Sequence, residues 1–435
     1  MSDLSAEVLR VARDLIRIDT TNGNETQAAA YLRDYLAGAG VAAELVAKDP
    51  ARANLVARLP GTGGAPSLAY VGHLDVVPAD PRDWTHPPFE AVVDDAGYLF
   101  GRGAVDMKNE VAARCVAVAE LARSGFLPRG DLWLLMVADE EDGAADVGMR
   151  WLLEARPDIR PDLAVNEGGG QRLQLVDGRT VLTLSVGEKG TQPVRLTALG
   201  EAGHASMPAL GANAVPLLAA LLRRIGRGDA DAAASPLLDA TLDALGVVGR
   251  TLEERIAAAI PLHPTFAHAL PPLAGTTMAP TLLEGSTARN VMPARASATL
   301  DCRVLPDVGP EEVLAAVRAR LGDLREGVDY ELDLPEPIVP GSASAPGGAL
   351  PAAVSAWLAE TEPGVGTLPV LCTGYTDSSF LRAAGGTAAY GFSPFRATPT
   401  SVLDAGYHNA DERVHVDDLT LSAEFHLDLA RRLLR

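Results

Sequence analysis

Histidine and acidic side chains follow three short apolar segments of this chain. They are His73 and Asp75 after 68–71, Glu140 and Glu141 after 132–138, and Glu167 after 163–165. Apolar runs of this length, bounded by glycine, proline or charge, are typical of buried strands. In open α/β sheets, ligands bind beyond the carboxyl ends of the strands. The pattern therefore predicts that these side chains converge at one edge of a sheet.

The residue types favour metal-assisted hydrolysis. Zinc held by histidine and carboxylate keeps a position open for water, lowers the pKa of that water towards about 7 and polarises a carbonyl. Two metal ions about 3.5–4 Å apart need a bridging carboxylate, and a full site needs about five protein ligands. The residues that supply this number are His73, Asp106, Glu141, Glu167 and His408. Thiolate ligands are not expected, because Cys115, Cys302 and Cys372 have no paired spacing.

The adjacent pair Glu140-Glu141 suggests a division of labour. At the end of a strand, one of two neighbouring side chains can bind the metal while the other reaches the water. The pair can therefore supply one metal ligand and one catalytic base. Asp75 follows His73 by two residues, where its carboxylate is expected to orient the imidazole. Each residue taken singly also fits a structural turn or a helix start, and only their joint occurrence favours a metal site.

The remaining pattern indicates how these residues are positioned. Helical apolar spacing at 4–17, 27–37 and 111–123 alternates with the apolar strands, which predicts an open, mixed, largely parallel α/β sheet with helices on both faces. From about residue 190, strand-like 194–198 and 296–302 alternate with helical 213–224 and 310–321. This pattern indicates a separate α+β layer. The predicted domains are residues 1–189 and 336–435, which form one catalytic domain, and an inserted domain at 190–335 with an extra helical insertion at about 226–275.

Composition and the absence of certain motifs argue against several classes of function. The formal net charge of −20 disfavours binding to nucleic acid or anionic membranes, which requires a surplus of lysine and arginine. We see neither a secretion signal nor an apolar run of the ~20 residues that a membrane-spanning helix needs. The odd number of cysteines fits a reducing cytoplasm. Neither a phosphate-binding loop nor a nucleophilic serine elbow is present.

Five ordered blocks carry a family resemblance. They are His73–Pro78 (HLDVVP), Gly101–Lys108 (GRGAVDMK), Asp139–Glu141 (DEE), Gly203–Pro208 (GHASMP) and His408–Val414 (HNADERV). In this order they resemble the signature blocks of the metallopeptidase family that includes aminoacylase, acetylornithine deacetylase, succinyl-diaminopimelate desuccinylase and glutamate carboxypeptidase. The resemblance spans nearly the whole chain.

The resemblance implies a ligand set for two zinc ions per subunit. Asp106 would bridge them, with His73 and Glu167 completing one and Glu141 and His408 completing the other. Glu140 would act first as general base and then as general acid. Manganese and cobalt accept similar ligands, so the sequence does not identify the metal.

The resemblance also implies a zinc-peptidase-like catalytic domain with an inserted, ferredoxin-like lid through which the chain forms a homodimer. His204 would reach the site of the partner subunit and polarise the scissile carbonyl. Asn290 and Arg303 would hold the free carboxylate of the substrate, and the loop from Gly374 to Asp377 would shape the pocket. The structural alternatives are a turn histidine for His204 and an ion pair with Asp301 for Arg303.

The expected function is hydrolysis of an amide bond in a small substrate with a free carboxylate, such as an N-acyl amino acid. A carboxypeptidase or dipeptidase of the same family is the alternative within enzymes. A non-catalytic binding protein that retains the fold is the alternative outside them.

Overall fold

The chain forms two compact units in the computed structural model, which describes residues 3–21, 23–141, 143, 145–228, 230 and 235–435. The first unit comprises Met1–Gly187, Ser344–Val370 and Thr376–Arg435. The second comprises Glu188–Ala343 and Leu371–Tyr375.

The helices and strands follow one another in three stretches. The first stretch contains α1 (Asp3–Ile16), α2 (Glu25–Gly38), β1 (Ala43–Val46), β2 (Asn54–Leu59), β3 (Leu68–His73), β4 (Val92–Val93), β5 (Tyr98–Phe100), α3 (Lys108–Arg123), β6 (Leu132–Val137), α4 (Met149–Ala155), β7 (Leu163–Asn166), β8 (Arg172–Gln174) and β9 (Thr180–Glu188). The second contains β10 (Gly190–Thr191), β11 (Val194–Leu199), β12 (Gly203–His204), α5 (Ala214–Ile225), α6 (Pro236–Ala244), α7 (Leu252–Ala259), α8 (Phe266–Ala269), β13 (Thr277–Glu284), β14 (Val291–Met292), β15 (Arg295–Val304), α9 (Pro310–Leu321), β16 (Tyr330–Asp333) and β17 (Ser342–Ala343). The third contains α10 (Ala349–Thr361), β18 (Val365–Cys372), α11 (Ser378–Gly385), β19 (Ala388–Gly391), α12 (Thr400–Gly406), β20 (Arg413–His415) and α13 (Val416–Leu433).

The main sheet of the first unit is mixed, with a parallel centre. Its strands run in the order β1-β2-β6-β3-β7-β19-β9. The pairs β6-β3, β3-β7 and β7-β19 are parallel, whereas β1-β2, β2-β6 and β19-β9 are antiparallel. The carboxyl ends of the central strands therefore meet at one edge, which confirms the predicted fold class.

Helices cover both faces of this sheet. Ala69 and Val71 of β3 pack with Leu152 of α4 and Leu381 of α11 on one face. On the other face α3 packs against β3 and is itself in contact with α1 and α13. Burial on both faces explains the continuous apolar runs of the central strands, since alternation is expected only where one face meets water.

The second unit has an antiparallel sheet in the order β16-β11-β15-β13. With α5 and α9 it follows the chain order β-α-β-β-α-β and the strand order 4-1-3-2 of a ferredoxin-like fold. Inward-facing residues of β11 and β15, such as Leu196 and Leu300, form one core with Leu221 of α5 and Val317 of α9.

Most predicted helices and strands form within a few residues of their expected bounds. Two long strands, β9 and β13, were not predicted, and neither was the short strand β17. The insertion contains α6, α7 and α8, although 229 and 231–234 lie outside the described residues. Among the described helices, none combines the length and apolar character needed to cross a membrane.

Candidate metal centre

Five potential ligands meet at the edge of the first sheet. His73 is the last residue of β3, and Glu167 follows the last residue of β7. Glu141 lies in the loop after β6, Asp106 precedes α3, and His408 lies between α12 and β20. The chain therefore brings together strand ends and loops that are far apart in sequence.

The two carboxylate oxygens of Asp106 face different histidines. Its Oδ1 is 3.0 Å from Nε2 of His73, and its Oδ2 is 3.3 Å from Nε2 of His408. Nε2 of His73 is also 3.7 Å from Oε2 of Glu167, and Nε2 of His408 is 3.0 Å from Oε2 of Glu141. We refer to His73, Asp106 and Glu167 as the buried subsite, and to Asp106, Glu141 and His408 as the open subsite.

Each subsite offers three ligand atoms that lie within 4.8 Å of one another. Zinc with bond lengths of about 2.0–2.2 Å and tetrahedral angles holds its ligand atoms about 3.3–3.6 Å apart. The four separations above, from 3.0 to 3.7 Å, bracket that range. In addition, Oε1 of Glu141 and Oε1 of Glu167 are buried without a hydrogen-bond partner among the described residues. Both the donor set and these unpartnered oxygens fit a pair of divalent cations.

Backbone contacts orient the imidazole of His73. Its Nδ1 is 3.0 Å from the backbone oxygen of Asp75, which leaves Nε2 free to face Asp106 and Glu167. The carboxylate of Asp75 was expected in this role, but its Oδ1 lies 3.6 Å from Nδ1. Its Oδ2 instead accepts a hydrogen bond of 3.0 Å from the backbone N–H of Glu141. Asp75 therefore connects the strand end of His73 to the loop that carries Glu140 and Glu141.

A buried carboxylate holds the loop of Asp106. Glu412 accepts hydrogen bonds from the backbone N–H groups of Gly103 at 3.1 Å, Val105 at 2.7 Å and Asp106 at 3.0 Å. It is also paired with the guanidinium of Arg102 at 2.7 Å. Because a single carboxylate accepts hydrogen bonds from three N–H groups of one loop, it fixes the position of the bridging candidate Asp106.

The loop that carries Glu140 is held by Asn54 and Arg52. The side chain of Asn54 accepts a hydrogen bond from the backbone N–H of Ala138 and donates one to the backbone oxygen of Val147. Arg52 pairs with Asp139, whose φ of 62° places it in the left-handed region. These contacts stabilise a sharp turn immediately before the predicted base.

Two glycines permit close approach between segments of the backbone next to the ligands. A Cβ at Gly72 would lie 2.9 Å from Cγ2 of Val111, so only glycine lets α3 pack against the end of β3. A Cβ at Gly391 would lie 1.8 Å from the backbone oxygen of Glu167. Glycine at these two positions allows helix and strand to surround the buried subsite.

The electrostatics of the metal-free site favour cations. Burial raises the pKa of Glu167, and the neighbouring Asp106 and Glu141 oppose its ionisation. The pKa of Asp106 is lowered despite its burial, because His408 and His73 donate hydrogen bonds to it. Hydrogen bonds to Asp106 and Glu141 raise the pKa of His408 to about 10. The metal-free site therefore compensates its crowded carboxylates with protonated imidazoles, a role that metal ions fill when they bind.

Glu140 lies in the same acidic environment. Its side chain is buried, and its pKa is raised well above the ordinary value by burial and then by the charge of Glu167. Asp377 is also buried here, and its pKa is raised in the same way, with a contribution from Glu167. A carboxyl group with a raised pKa beside a metal centre is suited to accept and return a proton.

The other predicted site residues belong to the second unit. His204 in β12 pairs with Val291 of β14, and the backbone oxygen of Asn290 accepts a hydrogen bond from Ala205. Arg303 in β15 is paired with Asp301 at 2.7 Å. Gly374 lies in Leu371–Tyr375, and a Cβ there would meet no atom within 4 Å. The second unit thus brings His204 and Asn290 together and places Arg303 on a separate strand in an ion pair.

Sequence reasoning missed the residues that support the ligands. Glu412, Arg102, Arg52 and Asn54 were not singled out, although Glu412 and Arg102 stand within recognised blocks. Their presence in those blocks was a signal that could have found them. Arg52 and Asn54 carry no such signal.

Comparisons with known proteins identify a family to which this sequence is similar. The model of peptidase family M20/M25/M40 matches residues 69–432. Aminoacylase-1 of Mus musculus is 30% identical over 415 residues, which cover 93% of this chain and 90% of that protein. A probable succinyl-diaminopimelate desuccinylase of Staphylococcus epidermidis is 37% identical over 212 residues, or 48% of each chain. The match to this desuccinylase therefore spans about half of its length.

A solved structure has the same fold. An M20 family metallo-carboxypeptidase, Sso-CP2 of Sulfolobus solfataricus, aligns with a TM-score of 0.72 and 20% identity over 98% of this chain and 99% of that one. At this identity the likeness concerns the fold alone.

Proposed function

This chain belongs to peptidase family M20/M25/M40, as its blocks predicted, and we propose that it is a dinuclear, zinc-dependent amidohydrolase acting on small N-acyl amino acids. A carboxypeptidase or dipeptidase is the second candidate, favoured by the match to a family of peptidases.

The observation that carries the proposal is the arrangement around Asp106. Its two oxygens face His73 and His408 from opposite sides, as a carboxylate bridging two ions would. A pair of purely structural His–carboxylate contacts would not need Glu141 and Glu167, each with a buried unpartnered oxygen. The carboxylate-rich centre therefore supports two metals better than it supports a structural role.

The predicted ligands would hold the metals that activate water and the substrate carbonyl, and the predicted base would transfer the proton. Two zinc ions held by the five ligands would supply a water of lowered pKa and would polarise the scissile carbonyl. Glu140 would accept a proton from the water as the water oxygen bonds to the amide carbon. As the C–N bond breaks, Glu140 would return this proton to the leaving amine.

His204 is suited to polarise a carbonyl oxygen. Its Nδ1 accepts a hydrogen bond of 3.2 Å from the backbone N–H of Ser206. The neutral imidazole therefore carries its proton on Nε2, and the exposed side chain can present this donor. We retain the expectation that His204 acts at the site of a partner subunit. For substrate recognition, Arg303 would have to exchange Asp301 for the substrate carboxylate, with Asn290 and the loop Gly374–Asp377 as further contacts.

A homodimer is supported by an exposed apolar surface of the second unit. Strand β13 pairs with β15 alone among the described strands, and Leu282 and Leu283 near its end are exposed. On α5, Val215 and Leu217 are exposed as well. A long edge strand with apolar side chains is a template for pairing with a second chain.

Metal removal and a substrate panel test the proposed function. The purified chain should lose hydrolysis on chelation and regain it with zinc, manganese or cobalt. N-acetyl, N-succinyl, N-formyl and N-carbamoyl amino acids, assayed beside dipeptides, should separate a deacylase from a peptidase. Metal-loaded protein that hydrolyses none of them would favour the non-catalytic binding protein.

Complementation tests whether His204 acts across a dimer. His204→Ala and Glu140→Gln homodimers should each be nearly inactive. After subunit exchange, mixed dimers contain one complete site, so about a quarter of wild-type activity should return. Activity that stays at the level of the unmixed variants would place His204 in its own subunit's site or outside catalysis.

A further inference from the structure

A fully buried arginine lies under the buried subsite and contacts the strands that carry its ligands. Arg114 is in α3, has no exposed surface, and belongs to none of the recognised blocks. Its guanidinium donates hydrogen bonds to the backbone oxygen of Val71 and, at 3.0 Å, to that of Asn166. Val71 stands two residues before His73, and Asn166 stands immediately before Glu167.

These two carbonyl groups lie where the ladder between β3 and β7 ends. The parallel register runs from Leu68↔Leu163 to Tyr70↔Val165. The next pair in register would be Val71 and Asn166, and there the fork of Arg114 bonds to both strands instead. The two strands continue from this point to His73 and Glu167, whose ligand atoms are 3.7 Å apart.

Four of the five N–H donors of the guanidinium are bonded within the core. Nη2 pairs with Glu110 at 2.5 Å, and Nε donates to Nε2 of His426 at 3.1 Å. His426 can accept this bond because its Nδ1 donates to the backbone oxygen of Ser422 at 2.7 Å. Burying a guanidinium is costly unless its donors are satisfied. A shift of β3, β7 or α13 relative to α3 would leave a donor of Arg114 without its partner, so these bonds favour one arrangement of the four elements.

From this geometry we infer that Arg114 is a positioning residue, which sets the separation of His73 and Glu167 and thereby the metal affinity of the buried subsite. The inference rests on the proposed metal-dependent function. Arg114 uses Nη1 for Val71 and Nη2 for Asn166, so a rigid plane holds the two strands apart at a fixed distance, which the single nitrogen of lysine does not reproduce. Glu141 and His408 stand in loops, and among the described residues the hydrogen bonds and the ion pair of Arg114 go to His426, Val71, Glu110 and Asn166 rather than to those loops. The effect should therefore be selective for one subsite.

The test uses the metal-free full-length protein titrated with Co²⁺ and followed by visible absorption and calorimetry. In Arg114→Lys, affinity for the tighter equivalent should fall about 10- to 100-fold, as for other residues that orient ligands. Affinity for the second equivalent should stay within about threefold. Tyr70→Phe is the matched control, because the hydroxyl group that it removes donates to the backbone oxygen of His426 in the same core and not to Val71 or Asn166. This control should leave both affinities unchanged.

A second variant separates positioning from folding. Arg114→Met/Glu110→Gln removes both buried charges, and replacing a buried ion pair as a whole is often neutral for stability. If it folds with a wild-type thermal midpoint, it should show the same selective loss of the tighter equivalent. Wild-type affinities in folded variants, or an equal loss at both subsites, would overturn the inference. A wild-type chain that binds fewer than two Co²⁺ would instead contradict the proposed function.

Discussion

The buried and open subsites differ in how the chain constructs them. The imidazole of His73 has 1% of its side-chain surface exposed, whereas that of His408 has 56%. His73 and Glu167 stand at the ends of paired strands, while Glu141 and His408 stand in loops. His408 also adopts a φ of 55°, an uncommon conformation for a residue with a side chain.

This difference indicates a division of roles within one site. Strand ends fixed by the sheet and by Arg114 favour a tightly held ion, whereas loop ligands favour an ion that exchanges with solvent and meets the substrate. Asp106 belongs to both subsites and couples them.

Removal of one histidine from each subsite gives the largest expected contrast. His73→Ala should lose the tighter metal and reduce kcat about a thousandfold or more, because His73 is the one histidine of the buried subsite and Asp106 and Glu167 alone would hold the ion weakly. His408→Ala should keep one tightly bound metal and reduce kcat about a hundredfold. Metal content by atomic emission and steady-state kinetics measure both effects. Equal metal loss in the two variants would remove the distinction between the subsites.

Glu412→Gln should weaken both subsites together. The substitution breaks a buried pair with Arg102 and weakens the bonds that hold the loop of Asp106, so we expect a loss of about 3 kcal/mol in the free energy of unfolding. Metal affinity should fall about 10- to 100-fold at each subsite. Urea unfolding and metal titration check these values. A loss confined to one subsite would show that Asp106 does not couple them.

Chelation kinetics should separate the two ions in the wild-type protein. A competing chelator should remove the ion at the exposed His408 at least about tenfold faster than the ion at His73, since release from the buried subsite requires local opening. Stopped-flow with a chromogenic chelator measures the two phases. A single phase with an amplitude of two equivalents would show that the two ions leave at the same rate despite the difference in burial of their histidines.

The metal-free protein should show a pH dependence that originates in the open subsite. The pKa of His408 is raised from 6.5 to about 10 by Asp106 and Glu141. Its stabilising effect is therefore complete below pH 6.5 and is lost as the pH rises towards 10. The thermal midpoint of the metal-free protein should fall by a few degrees over this interval, and His408→Gln should flatten the curve. An unchanged slope in this variant would assign the effect to other groups.

The strand-end ligands could be predicted from the sequence for a simple reason. His73 and Glu167 directly follow apolar runs, and sheet geometry brings such positions together. Asp106 and His408 follow no strand, and their pairing was available only from the resemblance. The orientation of His73 by the backbone of Asp75, rather than by its carboxylate, depends on loop geometry that spacing does not specify.

The supporting charges could not be predicted for another reason. Glu412 pairs with Arg102 across most of the chain, and Arg114 contacts four elements at once. An isolated glutamate or arginine in a sequence is usually exposed, so its burial becomes evident only when the fold supplies its partners. Arg303 shows the converse, since its neighbour Asp301 was the nearest partner in sequence and forms the ion pair.

The metal content and turnover of Glu140→Gln test most sharply whether Glu140 is the base of a dinuclear metal site. The substitution removes the proton acceptor and leaves all five predicted ligands in place. We expect two bound metal ions per chain, as in the wild type, and a kcat at least about a thousandfold lower. A variant that binds two metal ions and retains kcat within about tenfold of the wild type would show that Glu140 is not the base.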